Sequence, residues 1–470
     1  MPGIAEQLRS ALGAQSVLTE PSEIAPYLTD HRRLYQGKAC AVVLPRTVRE
    51  VSQVLALCNE RRVGVVPHGG NTSYCGGATP HESGTEIVLA LARLDRIRSI
   101  DAQSYTIVAE AGCVLERVQR AAEAAERLFP LSLGSEGSCQ IGGNLATNAG
   151  GTAVLRYGMM RDLTLGLEVV LADGRVLDAL SPLKKDNTGY DVKSLFLGSE
   201  GTLGVITAAC LKLFPKVLSS ATAFVAVADV KSAVELLSVL RERSDDRVSS
   251  FELIPRIAVE LAVRHIPGVV DPLAEPHAWY VLCELTSARE AEPLGDILAS
   301  ALAAELDRGR VRDAALAKSE RERAAFWHLR EHIPEAQRRD GASLKHDVSV
   351  PVGRLAEFVA RGAQWLDRHV PDGRLVAYGH VGDGNLHFNL NQAPGADPGS
   401  FLARAPTVMR AIHDLVREFQ GSFSAEHGIG RLKVEELERY ASPLELELMR
   451  FIKRAFDPNG ILNPGKVLRA

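Results

Sequence analysis

Short apolar runs alternate with amphipathic stretches along most of this chain. Residues 41–44 form a continuous apolar run ending at Pro45, which predicts a short buried strand. Residues 47–59 then carry apolar positions at helical spacing, with Thr47 as N-cap and Glu50 completing a capping box. The same reading predicts strands over 63–67, 87–91 and 105–109, a connection over 94–100, and a helix over 114–125. A strand pair is expected around the turn dipeptide Asp173-Gly174. From about Ser219 the texture shifts. Strands over 224–227, 251–254 and 280–285 alternate with helices over 231–243 and 294–305. Residues 343–351 alternate their faces as one strand, and 401–419 read as one helix. A helix covering 326–331 must end before Pro334, and helices over 434–440 and 443–456 precede the tail.

At 470 residues the chain exceeds one ordinary core, so two or three domains are expected, or one domain interrupted by another. Hydrophobic residues at 46% and charged residues at 24% fit a soluble globular protein. A net charge of -4 gives no basic footprint for nucleic acid, and no apolar run reaches membrane-spanning length. The first ten residues lack a basic stretch followed by an apolar core, so no secretory signal is expected. The seven cysteines are scattered without a C-x-x-C and read as reduced thiols of a cytoplasmic protein.

The first candidate chemistry lies in Y-G-H-V-G-D-G-N-L-H-F-N-L, residues 378–390. Its Gly-Asp-Gly turn separates His380 from His387, and the flanking runs predict a hairpin. His387 and Asn389 are two apart in a strand and share a face. Two imidazoles at one hairpin mouth suit a divalent metal, unless they serve only as structural hydrogen-bonding groups. S-A-E-H-G-I-G, residues 424–430, offers a further carboxylate, Glu426, with His427 beside it. The second candidate is glycine. Residues 68–77, H-G-G-N-T-S-Y-C-G-G, follow a buried strand and expose backbone N–H groups that can cradle a pyrophosphate. They do not form the G-x-G-x-x-G of a nicotinamide site. Residues 134–151 are richer still in small residues, as expected where backbone approaches a flat or extended ligand.

The motifs P-H-G-G-N-T, G-G-N-L-A-T-N-A-G-G, D-N-T-G-Y-D and G-S-E-G-T-L-G-V-I-T resemble the FAD-binding half of vanillyl-alcohol-oxidase-type flavoproteins. With the hairpin, S-A-E-H-G-I-G and the closing F-D-P-N-G-I-L-N-P-G-K, the chain from Ala41 onward is similar to the FAD-dependent D-2-hydroxyacid dehydrogenases. The resemblance implies an α+β fold. A two-subdomain, PCMH-type FAD-binding domain is expected over residues 1–218 and an α+β cap with an antiparallel sheet over 219–420. A C-terminal segment, 421–470, is expected to return to the FAD domain. It implies that Pro67, His68, Gly69, Gly70, Asn71, Thr72, Gly76 and Gly77 bind FAD, the first glycine pair and the two residues after it on the diphosphate. The second cofactor stretch implied is Ser135, Gly137, Ser138, Gly142, Gly143, Asn144, Thr147, Asn148, Gly150 and Gly151. Tyr157, Gly158, Glu200, Gly204, Ile206 and Asn463 complete the set. Some relatives attach flavin through a histidine next to the glycine pair; Asn71 stands at that position in this chain and His68 lies on the other side of the pair, so non-covalent FAD is expected.

Position and spacing of Arg330 and Lys345 resemble the residues that hold the substrate carboxylates, although Pro334 stands where D-2-hydroxyglutarate dehydrogenases tend to carry threonine. The resemblance thus implies hydride removal from C2 to FAD. His380, His387 and Glu426 would hold Zn2+, or Mn2+ or Co2+, on the substrate hydroxyl. His427 is the implied base and substrate contact, with Asn389 a further substrate hydrogen-bonding group. D-2-hydroxyglutarate is the favoured substrate, with D-lactate or glycolate the alternative. The implied acceptor is an electron-transfer flavoprotein or a quinone rather than NAD or oxygen, and a homodimer is possible. Competing readings are a metal-free flavin oxidoreductase and a zinc-stabilised interaction subunit that has lost FAD.

Overall fold

The computed structural model describes residues 3–469 and separates into two compact units. The first comprises residues 1–150, 158–216 and 426–470; the second comprises 151–157 and 217–425.

The first unit holds two larger sheets and a two-stranded pair, Arg127–Leu128 with Phe214–Pro215. One runs in the order Val17–Leu18, Ala41–Val43, Ile87–Ala90, Val65–His68. Its last three strands are parallel and its first is antiparallel. Parallel strands are buried on both faces, which is why these segments read as unbroken apolar runs. The helix Val48–Arg61 buries Val51, Val54, Leu55 and Cys58 in this core. Thr47 caps it by accepting from the Glu50 N–H, but the Glu50 carboxylate bonds Arg46 N at 2.7 Å, so only half of the predicted box forms. The second sheet is antiparallel, in the order Ile97–Asp101, Thr106–Glu110, Val205–Lys212, Thr164–Val170, Val176–Ala179. The predicted connection over 94–100 therefore contains a strand. Ile97–Asp101 is a mostly exposed edge strand of mixed composition, with no buried face to leave an apolar period.

The tail completes the parallel sheet. Val65 bridges Leu462 in parallel, with Val65 N donating to Ile461 O at 2.7 Å and Asn463 N to Val65 O at 2.8 Å. A buried carboxylate fastens the segment that begins the return. Glu200 accepts from Ile429 N at 2.7 Å and Gly430 N at 2.8 Å, while Asn463 Nδ2 donates to Gly77 O and Glu200 O. Burial pushes the Glu200 carboxyl upward, against the two amides that hold it ionised. Gly430 needs its glycine, since φ is +51° and a Cβ would lie 2.3 Å from Cys75 O.

The second unit is organised on an eight-stranded sheet. Its order is Val311–Leu316, Ser219–Val227, Trp279–Ser287, Val248–Pro255, Gly373–His380, Asn385–Gln392, Ser343–Leu344, with Asp347–Ser349 also paired to Asn385–Gln392. Every strand pair in it is antiparallel. One face is covered by Val230–Arg243, Leu294–Asp307 and Leu355–His369, the other by Arg256–His265 and Glu320–Glu331. The expected strand over 343–351 is broken at Lys345-His346, and the expected helix over 401–419 is two helices, Pro398–Leu402 and Ala405–Glu418. Pro406 in the first turn of Ala405–Glu418 favours a fresh helix start there. Residues 151–157 belong here through Arg156, whose Nη1 donates to Thr286 O at 2.6 Å. Among the described residues no helix is long and apolar enough to cross a membrane.

Glu200→Gln keeps the size of the clasp but presents one acceptor instead of two, leaving a buried N–H unmet. It should cost about 1–3 kcal/mol in urea unfolding and expose residues 426–470 to limited proteolysis. Wild-type stability and protease resistance would show that Glu200 does not fasten this segment.

Candidate active site

In the first unit the two glycine stretches lie back to back. Position 69 would bring a Cβ 3.7 Å from Gly143 Cα and from Gln140 Oε1, while a Cβ at Gly143 would meet nothing within 4 Å. Gly70 and Gly142 differ. A Cβ there would lie 2.2 Å from Ser138 O and 2.7 Å from Ala111 Cβ, so the protein's own packing demands those glycines. Gly76 packs under Tyr35 and Gly204 against Val169 and Phe196, also for internal reasons. Gly69 and Gly143 have no such internal demand, and open space over backbone is what a cofactor cradle provides.

The polar groups around the cradle agree. His68 Nε2, Gln140 Oε1 and Asn463 Oδ1 are buried without a hydrogen-bonding partner. Buried polar atoms are nearly always paired, so three orphans around glycine loops are what a polar ligand would satisfy. Asn71, Asn148, Glu200 and Asn463 all adopt positive φ, between +42° and +53°. Such backbone is costly for non-glycine residues and clusters at ligand sites. Asn71 Nδ2 donates to Thr29 O at 2.8 Å, Thr147 Oγ1 to Gly143 O at 3.0 Å, and Asn148 Oδ1 accepts from Arg161 N at 2.8 Å. Asn144 is buried and Ile206 is buried in the strand Val205–Lys212. Ser135 and Ser138 close a turn, with Ser138 N donating to Ser135 O. Gly137 lies in that turn, and Thr72 and Gly77 lie on the first loop. Gly150 and Gly158 end the first unit's share of the second stretch, and Gly151 and Tyr157 fall in the second unit. Both oxygens of Glu200 are engaged by backbone amides, so its visible work is the clasp.

His427 belongs to the first unit, its ring 4.7 Å from that of Tyr74. The Gly428-Ile429-Gly430 turn behind it is held by Glu200 and by Cys75, whose carbonyl accepts from Arg431 N and Leu432 N.

In the second unit the predicted hairpin is formed by Gly373–His380 and Asn385–Gln392, with Tyr378 opposite His387. The rings of His380 and His387 are 5.7 Å apart. Asp347 Oδ1 lies 3.9 Å from His387 Nδ1, and Asp347 O accepts from Ala425 N at 3.3 Å, one residue before Glu426. His380 Nδ1 lies 2.6 Å from Glu252 Oε1. The other Glu252 oxygen accepts from Arg330 Nε at 2.8 Å and lies 2.6 Å from Nη2. Arg330 also stands over the Tyr378 ring at 4.9 Å. Glu252 is wholly buried. Burial alone would push its carboxyl up, but Arg330 and His380 hold it down at about 2.

Lys345 and Asn389 meet at one acceptor. Gln337 Oε1 takes Lys345 Nζ at 2.8 Å and Asn389 Nδ2 at 3.0 Å, and Gln337 Nε2 donates to Asn391 Oδ1 at 2.9 Å. Pro334 stands exposed in the first turn of Ile333–Asp340, the helix that carries Gln337. Sequence reading missed Glu252, Gln337 and Asp347. Glu252 left a signal, a lone acid inside the apolar run F-E-L-I, whereas Gln337 left none.

Comparison with known proteins gives the family and the fold. Residues 39–180 match the family described as FAD binding domain, and residues 218–467 match FAD linked oxidases, C-terminal domain. A D-2-hydroxyglutarate dehydrogenase of Bos taurus is 41% identical over 96% of this chain and 81% of its own length. One of Arabidopsis thaliana is 38% identical over 98% and 80%, and one of Xanthomonas citri pv. viticola 36% over 98% and 96%. In fold the chain is similar to p-cresol methylhydroxylase, with a TM-score of 0.77 at 18% identity over 99% of this chain and 96% of that one. The chain belongs to the FAD-linked oxidases and, within them, to the D-2-hydroxyacid dehydrogenases. It is thus an FAD-linked dehydrogenase that acts on a small substrate.

Two predictions follow from the cradle. Gly143→Val should fold with wild-type stability yet purify without FAD, whereas Gly70→Ala should destabilise the protein itself, because its Cβ meets backbone. Full flavin occupancy in Gly143→Val would place the cofactor elsewhere. The second concerns His68, whose pKa burial lowers from 6.5 to about 4. Between these values the unfolded chain binds a proton that the folded chain refuses, so stability falls as pH drops from 6.5 to about 4, by up to about 3 kcal/mol. His68→Gln should flatten that part of the urea-midpoint profile; an unchanged slope would show that His68 is not the titrating group.

Proposed function

We propose that this enzyme oxidises D-2-hydroxyglutarate to 2-oxoglutarate with non-covalent FAD and one divalent metal ion, Zn2+ by the donor set. The carrying observation is the hairpin of a D-2-hydroxyacid dehydrogenase chain, with His380 and His387 side by side and His380 backed by a buried carboxylate. A metal-bound histidine typically donates its other ring N–H to such a group. We assign His380, His387 and Glu426 as its ligands, as the family resemblance implies, two nitrogens and an oxygen with positions left for substrate. Non-covalent attachment is supported by Asn71, an amide at the position that the resemblance gives to the linking histidine of some relatives.

When bound, FAD supplies the acceptor for the hydride leaving C2, and the metal supplies a Lewis acid for the hydroxyl. The chain's own residues do the rest. Arg330 offers a planar fork to a carboxylate, and Lys345, aimed by Gln337, offers a compact charge. Asn389 hydrogen-bonds substrate. His427, its ring tilted against that of Tyr74, takes the hydroxyl proton at an imidazole nitrogen. One observation favours D-lactate as the competing substrate: Pro334 provides no hydroxyl at the helix start after Arg330. Electrons leave to an electron-transfer flavoprotein or a quinone. The seven cysteines, which form no disulfide among the described residues, support a reducing, cytoplasmic setting, and a homodimer is the proposed assembly.

Anaerobic single-turnover flavin reduction, read beside metal content, tests this. The wild type should be reduced by D-2-hydroxyglutarate faster than by D-lactate. His380→Ala and Glu426→Gln should lose metal and activity together. His427→Ala should keep FAD and metal and slow flavin reduction ~10²–10⁴-fold. Metal loss in His427→Ala would make it a ligand instead of the base. Metal-free enzyme reduced at the wild-type rate would leave the hairpin a structural role only.

A further inference from the structure

We propose that Glu252 is the positioning residue of this site, one carboxylate that sets both the tautomer of His380 and the plane of Arg330. The proposal deepens the reading above and rests on it.

Glu252 lies in the middle of the sheet, on Val248–Pro255, opposite His380 on Gly373–His380 and Leu282 on Trp279–Ser287. Its chain neighbours Phe251 and Leu253 are buried apolar residues, and its own exposure is 0%. An apolar side chain would fill such a place at less cost, since taking a carboxylate out of water is expensive even when paired. The geometry points to what the acid does. Its two oxygens divide between two partners on different elements. Oε1 faces His380 Nδ1 at 2.6 Å, and Oε2 takes Arg330 Nε at 2.8 Å with Nη2 at 2.6 Å.

Each contact removes a choice. With Nδ1–H donated to Glu252, the His380 lone pair lies on Nε2, the only ring nitrogen then able to ligate a metal. With Nε and Nη2 both turned to Oε2, the guanidinium cannot rotate about its stem, and Tyr378 beneath it at 4.9 Å fixes the same plane. Nη1 is the guanidinium nitrogen that Glu252 does not engage, so the edge offered to a substrate carboxylate is chosen by the same acid that prepares the metal ligand. The spacing between carboxylate grip and metal is thereby carried by a single side chain.

Glu252→Gln separates this from a merely structural ion pair. An amide has one acceptor and one donor edge. If its oxygen faces Arg330, its NH2 faces His380 Nδ1, which must then accept, and the ring proton moves to Nε2, where a metal would bind. If it is flipped, two donors meet at Arg330. Either way one arm fails. The measurements are FAD content, thermal midpoint, Zn2+ affinity by competition with a chromophoric chelator, and KM and kcat for D-2-hydroxyglutarate, all on the full-length FAD-loaded protein. Glu252→Gln should keep FAD, bind Zn2+ 10–100-fold more weakly as second-shell losses typically do, and raise KM at least tenfold. Glu252→Asp should fall between it and the wild type. If Glu252→Gln folds and loads FAD, yet matches the wild type within twofold in both Zn2+ affinity and KM, the proposal is overturned, whatever its thermal midpoint. If it fails to fold, Glu252→Asp decides: at least threefold weaker Zn2+ binding supports the proposal, and wild-type affinity overturns it. If the wild type itself binds no Zn2+, Mn2+ or Co2+, the metal reading has failed. Glu252 is then judged on KM alone, for whichever 2-hydroxyacid reduces the flavin.

Discussion

The first unit depends on a fastening made by buried polar groups. Glu200 and Asn463 both stand in left-handed backbone, and both spend their side chains on main-chain partners: Ile429 and Gly430 amides for one, Gly77 and Glu200 carbonyls for the other. The tail they hold contributes Leu462 beside Val65, the strand that leads directly into His68 and the first glycine loop. It also carries Glu426 and His427 at its start. Cofactor loop, proposed base and proposed metal carboxylate thus share one mechanical anchor, to which the loop itself contributes only the Gly77 carbonyl.

The two glycine loops illustrate how a single residue type answers two different demands. Gly70, Gly142 and Gly430 are compelled by protein atoms that would occupy the Cβ position. Gly69 and Gly143 are compelled by nothing in the chain, and only a ligand gives them a reason. Orphaned His68 Nε2, Gln140 Oε1 and Asn463 Oδ1 point the same way from the polar side. Space without side chains and polar atoms without partners are independent signs of one flat, polar occupant.

Much of this was legible in the residues. Unbroken apolar runs such as 41–44 and 87–90 belong to parallel strands buried on both faces, so their signal survives tertiary context. The hairpin of His380 and His387 was readable because a Gly-Asp-Gly turn fixes where two strands reverse. Ile97–Asp101 was hidden because an exposed edge strand has no face to mark, and the 401–419 region was misread because its apolar positions keep helical spacing across the break. At the site, the residues with chemistry on their side chains announced themselves. Gln337 did not: a lone amide on a charged helix acquires its importance only when Lys345 and Asn389 fold onto it. Glu252 was visible as an acid among apolar neighbours, yet its two partners are 78 and 128 residues away in sequence, beyond any local pattern.

The discontinuity of the first unit has a consequence for synthesis. A ribosome delivers residues 1–216 long before 426–470, so the nascent parallel sheet waits with the Val65 edge unpaired while the whole intervening unit emerges. The second unit needs only residues 151–157 from the earlier chain and can collapse first. Vectorial folding would then run from the middle outward, with residues 461–463 closing the amino-terminal half only once they have been made. A chain broken off just after residue 425 would spare the inserted unit and cripple the half that precedes it, an inversion of the usual relation between where a chain is cut and which part of it fails.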